Sequence, residues 1–186
     1  MFKIAIISSS IREERKSHRL ALYFQKYLEN NNLAETELLD LKQYNFPIFE
    51  ERFKNLKSPS DEVIDFTTKL KNADGAIIVT PEYNGTYPAA LKNAIDLFTS
   101  EITRKPVVIA TVSDGDFGGT QALISLQFTL WKMGFWTVPT RFHSPRIHEH
   151  FDENGVPNDA PATDKKTKRF INELLWSIEA KSRMEG

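Results

Sequence analysis

Residues 80–98, TPEYNGTYPAALKNAIDLF, constrain the fold more than any other part of the sequence. They follow a short apolar run at residues 76–79, which is typical of a strand buried on both faces. The Pro-Glu-Tyr-Asn-Gly segment favours an irregular turn, and Pro88 suits the start of a helix because its missing N–H needs no partner there. We therefore predict a strand, a loop and a helix. The loop lies at the carboxyl end of a central strand, where open α/β sheets bind their ligands.

The rest of the chain alternates between apolar runs and segments with helical spacing. The runs predict four further strands, at residues 2–7, 35–41, 107–112 and 136–142. Helical spacing predicts helices that follow each strand, with Ser17 as the N-cap of the first and Asp61 as the N-cap of the next. Several prolines interrupt residues 43–60 and 143–162, so we expect an irregular excursion in the first segment and an extended surface loop in the second.

Five strands that alternate with five helices predict a doubly wound α/β domain, in which helices cover both faces of one parallel sheet. Right-handed crossovers and the usual strand order give the flavodoxin-like arrangement 2-1-3-4-5. We expect residues 1–186 to form this single domain. In that order the carboxyl ends of strands 1, 3 and 4 lie side by side, so the loops that follow these strands converge.

The loop after the first strand combines serines at positions 8–10 with four arginine and lysine residues at positions 12–19. A helix follows, and a helix amino terminus presents unpaired N–H groups and positive potential, so a phosphate group suits this position. The alternative is a solvated loop with a simple serine N-cap. The expected convergence of this loop with residues 81–85 and 113–120 favours the phosphate site.

Composition excludes several classes of function. The chain carries 24 basic and 25 acidic side chains, a net charge of −1, so its charge does not argue for nucleic acid or an anionic membrane as a partner. There is no cysteine, which removes disulfides, thiolate catalysis and cysteine-ligated metals. The first apolar segment is too short for a secretory signal, and no run approaches the roughly 20 apolar residues of a membrane span. We therefore expect a cytoplasmic protein.

The motif at residues 81–96, PEYNGTYPAALKNAID, resembles the signature of the NAD(P)H-dependent FMN reductases, which are flavodoxin-like quinone, azo-dye and chromate reductases. In the first loop, SSIR at residues 9–12 and SHR at residues 17–19 are similar to the phosphate loop of that family, although the family commonly has Gly at position 9 and Asn at position 19. The glycine pair at residues 118–119 matches the paired glycines after the family's fourth strand. The resemblance covers about residues 2–140.

The resemblance implies a site for FMN, with NADPH or NADH as co-substrate. It places side chains of the first loop at the FMN phosphate, and the second loop with the glycine pair at the flavin ring. The residue types agree with these roles, because Arg12 offers a charged fork to a dianion and Asn84 can both donate to and accept from the edge of a pyrimidine ring. The cofactor-binding residues that we expect are Ser9, Ser10, Arg12, Ser17, His18, Arg19, Pro81, Glu82, Tyr83, Asn84, Gly85, Ser113, Gly118 and Gly119.

The implied reaction has two steps: hydride passes from NADPH or NADH to FMN, and two electrons then pass to a quinone, an azo dye, a metal oxyanion or free flavin. FMN carries this chemistry, so we expect no catalytic side chain. The resemblance also implies a homodimer or homotetramer. Five residues are candidate contacts between subunits: Phe46, Phe49, Phe53, Leu97 and Phe98.

Two other classes of function remain open at this point. A flavodoxin-type electron carrier would bind FMN and pass single electrons to a protein partner, although such carriers usually have a strongly acidic surface. A flavin-free binding module on the same fold is the other class. His143, His148, His150 and Asp152 have metal-ligating atoms, but nothing in their proline-rich segment fixes ligand geometry, so we expect no metal site.

Overall fold

The computed structural model describes residues 1–185, and its centre is a sheet of five parallel strands. The order of the strands is β2-β1-β3-β4-β5, which confirms the predicted flavodoxin-like arrangement. The strands are β1 (Lys3–Ser8), β2 (Glu35–Asp40), β3 (Gly75–Pro81), β4 (Pro106–Val112) and β5 (Trp136–Ser144).

Helices occupy the connections between the strands and the end of the described chain. Five of them have at least seven residues, and α2 and α6 have four each. The helices are α1 (Ser17–Asn30), α2 (Leu41–Tyr44), α3 (Asp61–Asn72), α4 (Ala89–Ile95), α5 (Thr120–Lys132), α6 (Ile147–His150) and α7 (Ala160–Glu185).

Alternate residues of the central strands face two separate cores. Ile4 and Ile6 of β1 pack with α1 and α7, whereas Ala5 and Ile7 pack on the opposite face with α3, α4 and α5. All four side chains are buried. Successive residues of a strand point to opposite faces, so burial on both faces requires a continuous apolar run rather than an alternating pattern.

The sheet brings together the carboxyl ends of β1, β3 and β4. Ser8 is paired with Val79, and Pro81 is paired with Val112. Beyond the end of β1, the Ser9 N–H donates to the Val79 carbonyl over 3.1 Å. The three loops that follow these strands therefore leave the sheet side by side, as the strand order predicts.

The starts of two helices differ from the prediction by one residue. Ser17 is the first residue of α1, and Lys16 occupies the N-cap position. Asp61 is the first residue of α3, and its N-cap is Ser60, whose hydroxyl accepts from the Val63 N–H. Only backbone geometry distinguishes a cap from the first helical residue, so the sequence alone does not resolve this difference.

Residues 143–162 are not the extended surface loop that their prolines suggest. Strand β5 continues to Ser144, α6 follows it, and α7 begins at Ala160. Ile147 and Phe151 are 1% and 2% exposed and pack in the core with α1 and α7. Burial of these two side chains fixes the segment against the sheet, which proline content does not reveal.

The residues suggested above as contacts between subunits pack against other parts of their own chain. Leu97 and Phe98 are buried in the core that contains α3, α4 and α5, so they are unavailable to a second copy. Phe46, Phe49 and Phe53 are partly buried against the same core. The excursion between β2 and α3 is thus held by aromatic side chains that turn inward.

Candidate cofactor-binding site

Three loops meet at the carboxyl edge of the sheet. The first and second are joined by Ser10 Oγ and Tyr83 OH, which are 2.6 Å apart, and the Arg12 guanidinium carbon lies 5.7 Å from the centre of the Tyr83 ring. The first and third are joined by Lys16, whose ammonium donates to Asp114 over 3.1 Å. A cavity of about 250 Å³ lies between the loops and is lined by Ser10, Arg12, Glu14, Arg15, Lys16, Ser17, Pro81, Glu82, Tyr83, Val112, Ser113, Asp114 and Ile147.

The first loop presents polar groups that lack partners in the described part of the chain. The hydroxyls of Ser9 and Ser17 are buried, and neither forms a hydrogen bond within residues 1–185. Helix α1 begins here without a side-chain cap. Other side chains of the loop form ion pairs, but Arg12 forms none with a described carboxylate. Buried hydroxyls almost always have partners, so this arrangement fits an anion such as phosphate.

Arg15, in contrast, is engaged within the protein. Its two terminal nitrogens donate to the two carboxylate oxygens of Asp40, and one of them also donates to the Ser10 carbonyl over 2.9 Å. The Asp40 side chain is 1% exposed and that of Arg15 is 11% exposed. This buried fork connects the first loop to the end of β2, so Arg15 positions the loop while Arg12 remains available to a ligand.

His18 and Arg19 do not line the cavity. His18 Nδ1 lies 3.0 Å from Ser8 Oγ and 3.8 Å from an Asp40 carboxylate oxygen. Burial lowers the pKa of His18, although the Asp40 charge opposes this shift. Arg19 donates to the Phe151 carbonyl over 2.9 Å. Contact of these two side chains with a cofactor phosphate stays a prediction.

The second loop is a tight turn with an Asn-Gly centre. The Tyr83 N–H donates to the Thr86 carbonyl over 2.7 Å, and the Thr86 N–H donates to the Tyr83 carbonyl over 3.1 Å. Between them, Asn84 and Gly85 have φ values of 51° and 81°. Positive φ at both central residues is the requirement of a type I′ turn, for which Asn-Gly is a preferred sequence. The predicted ring-contact residues therefore lie on a backbone of defined shape.

Glu82 connects the second loop to helix α5. Its carboxylate accepts hydrogen bonds from the N–H groups of Gln121 and Ala122, over 2.9 Å and 3.2 Å. The N-cap residue of α5 is Gly119, which has no side chain to supply this cap. The negative charge of Glu82 satisfies and stabilises the helix terminus, so Glu82 holds the loops together while it also lines the cavity.

The third loop is supported by polar groups at the ends of β4 and β5. Thr111 Oγ1 donates to the Gly118 carbonyl over 2.5 Å and lies 2.7 Å from His143 Nδ1. Ser113 Oγ accepts from the Gly118 N–H over 3.0 Å. Gly119 has a φ of 79°, and a Cβ at this position would lie 2.9 Å from the Thr111 Cβ. The second glycine of the pair is thus required by both its backbone conformation and its close approach to β4.

Together these features fit a phosphorylated flavin. The unpartnered hydroxyls, the uncapped helix and Arg12 suit a phosphate dianion. The turn at Asn84 and Gly85, together with the glycine pair, allows backbone N–H groups to approach a flat ring closely. When bound, FMN would have its phosphate held by the first loop and its ring bordered by the second and third loops.

Sequence reasoning missed three residues that support these loops, namely Asp40, Thr111 and His143. Each lies in a strand and contacts a side chain that is distant in sequence: Asp40 contacts Arg15, and Thr111 and His143 contact each other. The only available signal was a single polar residue at the end of an apolar run, which is too common to identify a role.

Within residues 1–185, no three His, Asp or Glu side chains form a group that could hold a metal ion. In that same part of the chain, no helix combines the length and the apolar character needed to cross a membrane. His148 lies 3.4 Å from Asp114, so this histidine faces the third loop.

Comparisons with known proteins identify the family of this chain. The family model described as NADPH-dependent FMN reductase matches residues 2–149. The chain is 33% identical over 181 residues to an NADPH azoreductase of Bacillus sp. (strain OY1-2), covering 96% of this chain and 91% of that protein. It is also 33% identical over 141 residues to an NAD(P)H-dependent FMN reductase of Saccharomyces cerevisiae, covering 69% of this chain and 73% of that protein. The solved structure of FerB, a flavoenzyme NAD(P)H:(acceptor) oxidoreductase from Paracoccus denitrificans, has the same fold, with a TM-score of 0.80, 23% identity and coverage of 97% and 98%.

Proposed function

Because this chain belongs to the NADPH-dependent FMN reductase family, we propose that it is an oxidoreductase that binds FMN at the three loops and uses NADPH or NADH to reduce a quinone or an azo dye. The observation that carries the proposal is that Arg12 and Ser17 line the same cavity, and that the buried hydroxyls of Ser17 and Ser9 have no partner within residues 1–185. A phosphate would satisfy all three groups.

The protein's own residues have distinct roles in this proposal. Arg12, the serine hydroxyls and the amino terminus of α1 bind the phosphate, and the Arg15–Asp40 pair holds the first loop in place. Asn84 and the backbone of the glycine pair orient the ring edge. FMN, when bound, supplies the hydride-accepting and electron-donating chemistry. No side chain has to act as a nucleophile, so the contribution of the protein is orientation and local potential.

The electron balance sets the class of acceptor. NADPH or NADH gives up a hydride, which is two electrons and one proton, and a quinone takes up two electrons and two protons to become a quinol, with the second proton from solvent. An azo bond accepts electrons in pairs in the same way. We extend the proposal to metal oxyanions and free flavin, because the loops supply no acceptor-specific side chain that would exclude them.

We also propose that residues 1–186 form a single FMN-binding domain that assembles as a homodimer or homotetramer. Support for assembly comes from an apolar stripe on α5, where Ile124, Phe128 and Trp131 are 63%, 67% and 66% exposed. Exposed apolar side chains at helical spacing are a feature of helix–helix contacts between subunits. We place the reaction in the cytoplasm, because reduced nicotinamide nucleotides are regenerated there.

An anaerobic titration of FMN-loaded protein with NADPH and then NADH tests the reaction. We expect the visible absorbance of the flavin to bleach promptly and to recover when a quinone is added. Complete bleaching should require roughly one equivalent of the preferred nucleotide per flavin, because each nucleotide donates two electrons. A flavin that neither nucleotide bleaches, although dithionite does, would contradict the reductase and favour an electron carrier. A protein that takes up no FMN would show that the site is wrong.

Substitution of Arg12 tests the phosphate site separately from the reaction. Hydrogen bonds to charged groups contribute about 1.5–3 kcal/mol, so Arg12→Gln is expected to weaken FMN binding roughly 10- to 100-fold. Arg183→Gln is the control, because that arginine is 78% exposed and lies near the end of α7. Equal FMN affinities for the two variants would contradict the role of Arg12.

A further inference from the structure

A second cavity, of about 790 Å³, lies at the free edge of the sheet and shares no lining residue with the three loops. Residues 139–141 of β5, the outermost strand on this side, form its floor. Residues 123 and 127 of α5 border it on one side, and the first three turns of α7 border it on the other. We call this cavity the edge groove. The proposed flavin chemistry does not use it.

Four cations line the edge groove, and no carboxylate does. They are Arg141 from β5 and Lys165, Lys166 and Arg169 from α7. Within residues 1–185 none of the four forms an ion pair, and the ion pairs of α7 lie near its other end. In a chain with a net charge of −1, this is a concentrated positive field. Like charges that are held together in a concave surface attract anions from solution.

The ammonium group of Lys166 is held in a defined position rather than moving freely in water. It donates to the His143 carbonyl and lies 4.1 Å from the centre of the Phe142 ring. Burial lowers the pKa of Lys166, because the charged form has lost part of its hydration. A bound anion would compensate for that loss. All four residues are exposed overall, and Lys166 is distinguished by an ammonium group that the protein holds in place.

Apolar side chains also line the groove, beside the cations. Pro139 is exposed and supplies surface that can contact an organic group, whereas Leu123 and Phe170 are 8% and 1% exposed and offer little. Arg141 and Arg169 supply planar guanidinium forks, which match the oxygen geometry of phosphate. The positive charge is confined to one concave cluster and does not form a long stripe, which favours a small ligand over a nucleic acid.

We propose that the edge groove binds a small organic phosphate with two or more negative charges, of the nucleoside diphosphate class, in which phosphate oxygens contact the arginines and the organic group contacts Pro139. This proposal is independent of the flavin reaction, because it rests on side chains that are outside the three loops. Its alternative is a purely protective role, since charged side chains and proline on an edge strand also discourage strand pairing between molecules.

Calorimetric titration of FMN-saturated protein with ADP tests the proposal, with sodium sulfate as the comparison anion. In FMN-saturated protein the proposed phosphate site of the first loop is already occupied, so ADP does not bind there. We expect ADP to bind with a dissociation constant below about 1 mM and more tightly than sulfate. The double variant Arg141→Gln/Arg169→Gln is expected to weaken ADP binding at least about 10-fold. Lys168→Gln, on the same helix but outside the groove, is expected to leave the ADP affinity unchanged.

Three results would overturn the proposal. The first is no ADP binding by the FMN-saturated protein, and the second is an affinity for ADP no greater than for sulfate. The third is equal ADP affinity in the wild type and the double variant. Aggregation of the double variant together with no ADP binding by the wild type would assign the charges to edge protection. FMN uptake, measured in the same samples by absorbance, separates failure of this proposal from failure of the flavin site.

Discussion

The hydroxyls of Ser10 and Tyr83 lie 2.6 Å apart, and they connect two loops whose residues are separated by 73 positions in the sequence. Strand order makes this contact possible, because β1 and β3 are neighbours in the sheet. Both partners of this hydrogen bond belong to the protein. It therefore holds the first and second loops in a fixed relationship, and such preorganisation would reduce the entropy lost when a ligand binds.

Tyr83→Phe removes this connection while it retains the aromatic ring. We expect FMN affinity to fall by roughly 5- to 10-fold, which corresponds to one hydrogen bond of about 1 kcal/mol, with little change in the fold. Quenching of flavin fluorescence during titration measures the affinity. Tyr87→Phe is the control, since the Tyr87 hydroxyl bonds Thr129 over 2.8 Å and Tyr87 does not line the cavity. A Tyr83 variant with wild-type affinity would contradict the role of the connection.

Asp40→Asn is expected to destabilise the protein by about 3–5 kcal/mol, because it leaves the Arg15 guanidinium buried without its counter-charge. Urea unfolding measures the loss. Asp96→Asn is the comparison, because Asp96 is paired with Lys92 in an exposed i,i+4 arrangement. Such surface pairs contribute about 1 kcal/mol or less. If the two variants lost similar amounts of stability, the Arg15–Asp40 pair would not be the anchor that its burial indicates.

Gly119→Ala is expected to cost about 1–3 kcal/mol of stability and to weaken FMN binding. A φ of 79° is unfavourable for alanine, and its Cβ would lie 2.9 Å from the Thr111 Cβ. Gly115→Ala, in the same loop, serves as the matched control, because nothing lies within 4 Å of the Cβ that it would add. Thermal unfolding and FMN titration of both variants make the comparison, and equal behaviour would remove the steric argument for the glycine pair.

Because Lys105 is buried, we predict that the stability of the protein changes with pH in the alkaline range. The side chain is buried and donates to the carbonyls of Lys71 and Ala73, and burial lowers its pKa to about 8 from an ordinary value of 10.5. Between these two values the unfolded chain binds more protons than the folded chain, so unfolding free energy rises with pH. Relative to Lys105→Met, the wild type should gain about 2–3 kcal/mol between pH 7.5 and 10.5.

Urea unfolding of the wild type and Lys105→Met at several pH values in this range measures that difference. The subtraction cancels the other titrating groups, provided that both proteins unfold in two states. A difference that does not change with pH would mean that Lys105 keeps an ordinary pKa in the folded protein.

Local sequence was informative wherever a backbone requirement depends on a few neighbouring residues. The continuous apolar runs of β1, β3 and β4 follow from burial on both faces, and Asn84-Gly85 is the preferred pair for the turn that it forms. Because right-handed crossovers limit the topology, these local signals also predicted the strand order and the convergence of the loops.

Local sequence did not predict the side-chain contacts between neighbouring strands and their loops. Arg15, one of four cations in its loop, is engaged by Asp40, and His18 turns toward Ser8, whereas Arg12 remains available. Which cation has which partner depends on the position of β2 beside β1. Phe98, which follows the motif at residues 81–96, is a similar case. Its aromatic character is compatible with an interface or with the core, and only the folded structure shows that it is buried.

The sequence by itself thus determined the fold class, the order of the strands and the three loops that build the site, because hydrophobic period, turn chemistry and chain handedness act over short distances. The tertiary structure decided which side chains in those loops are committed and which are available to a ligand, and it assembled the edge groove from β5, α5 and α7. Those outcomes depend on distances between segments that are remote in sequence, and only the folded chain defines such distances.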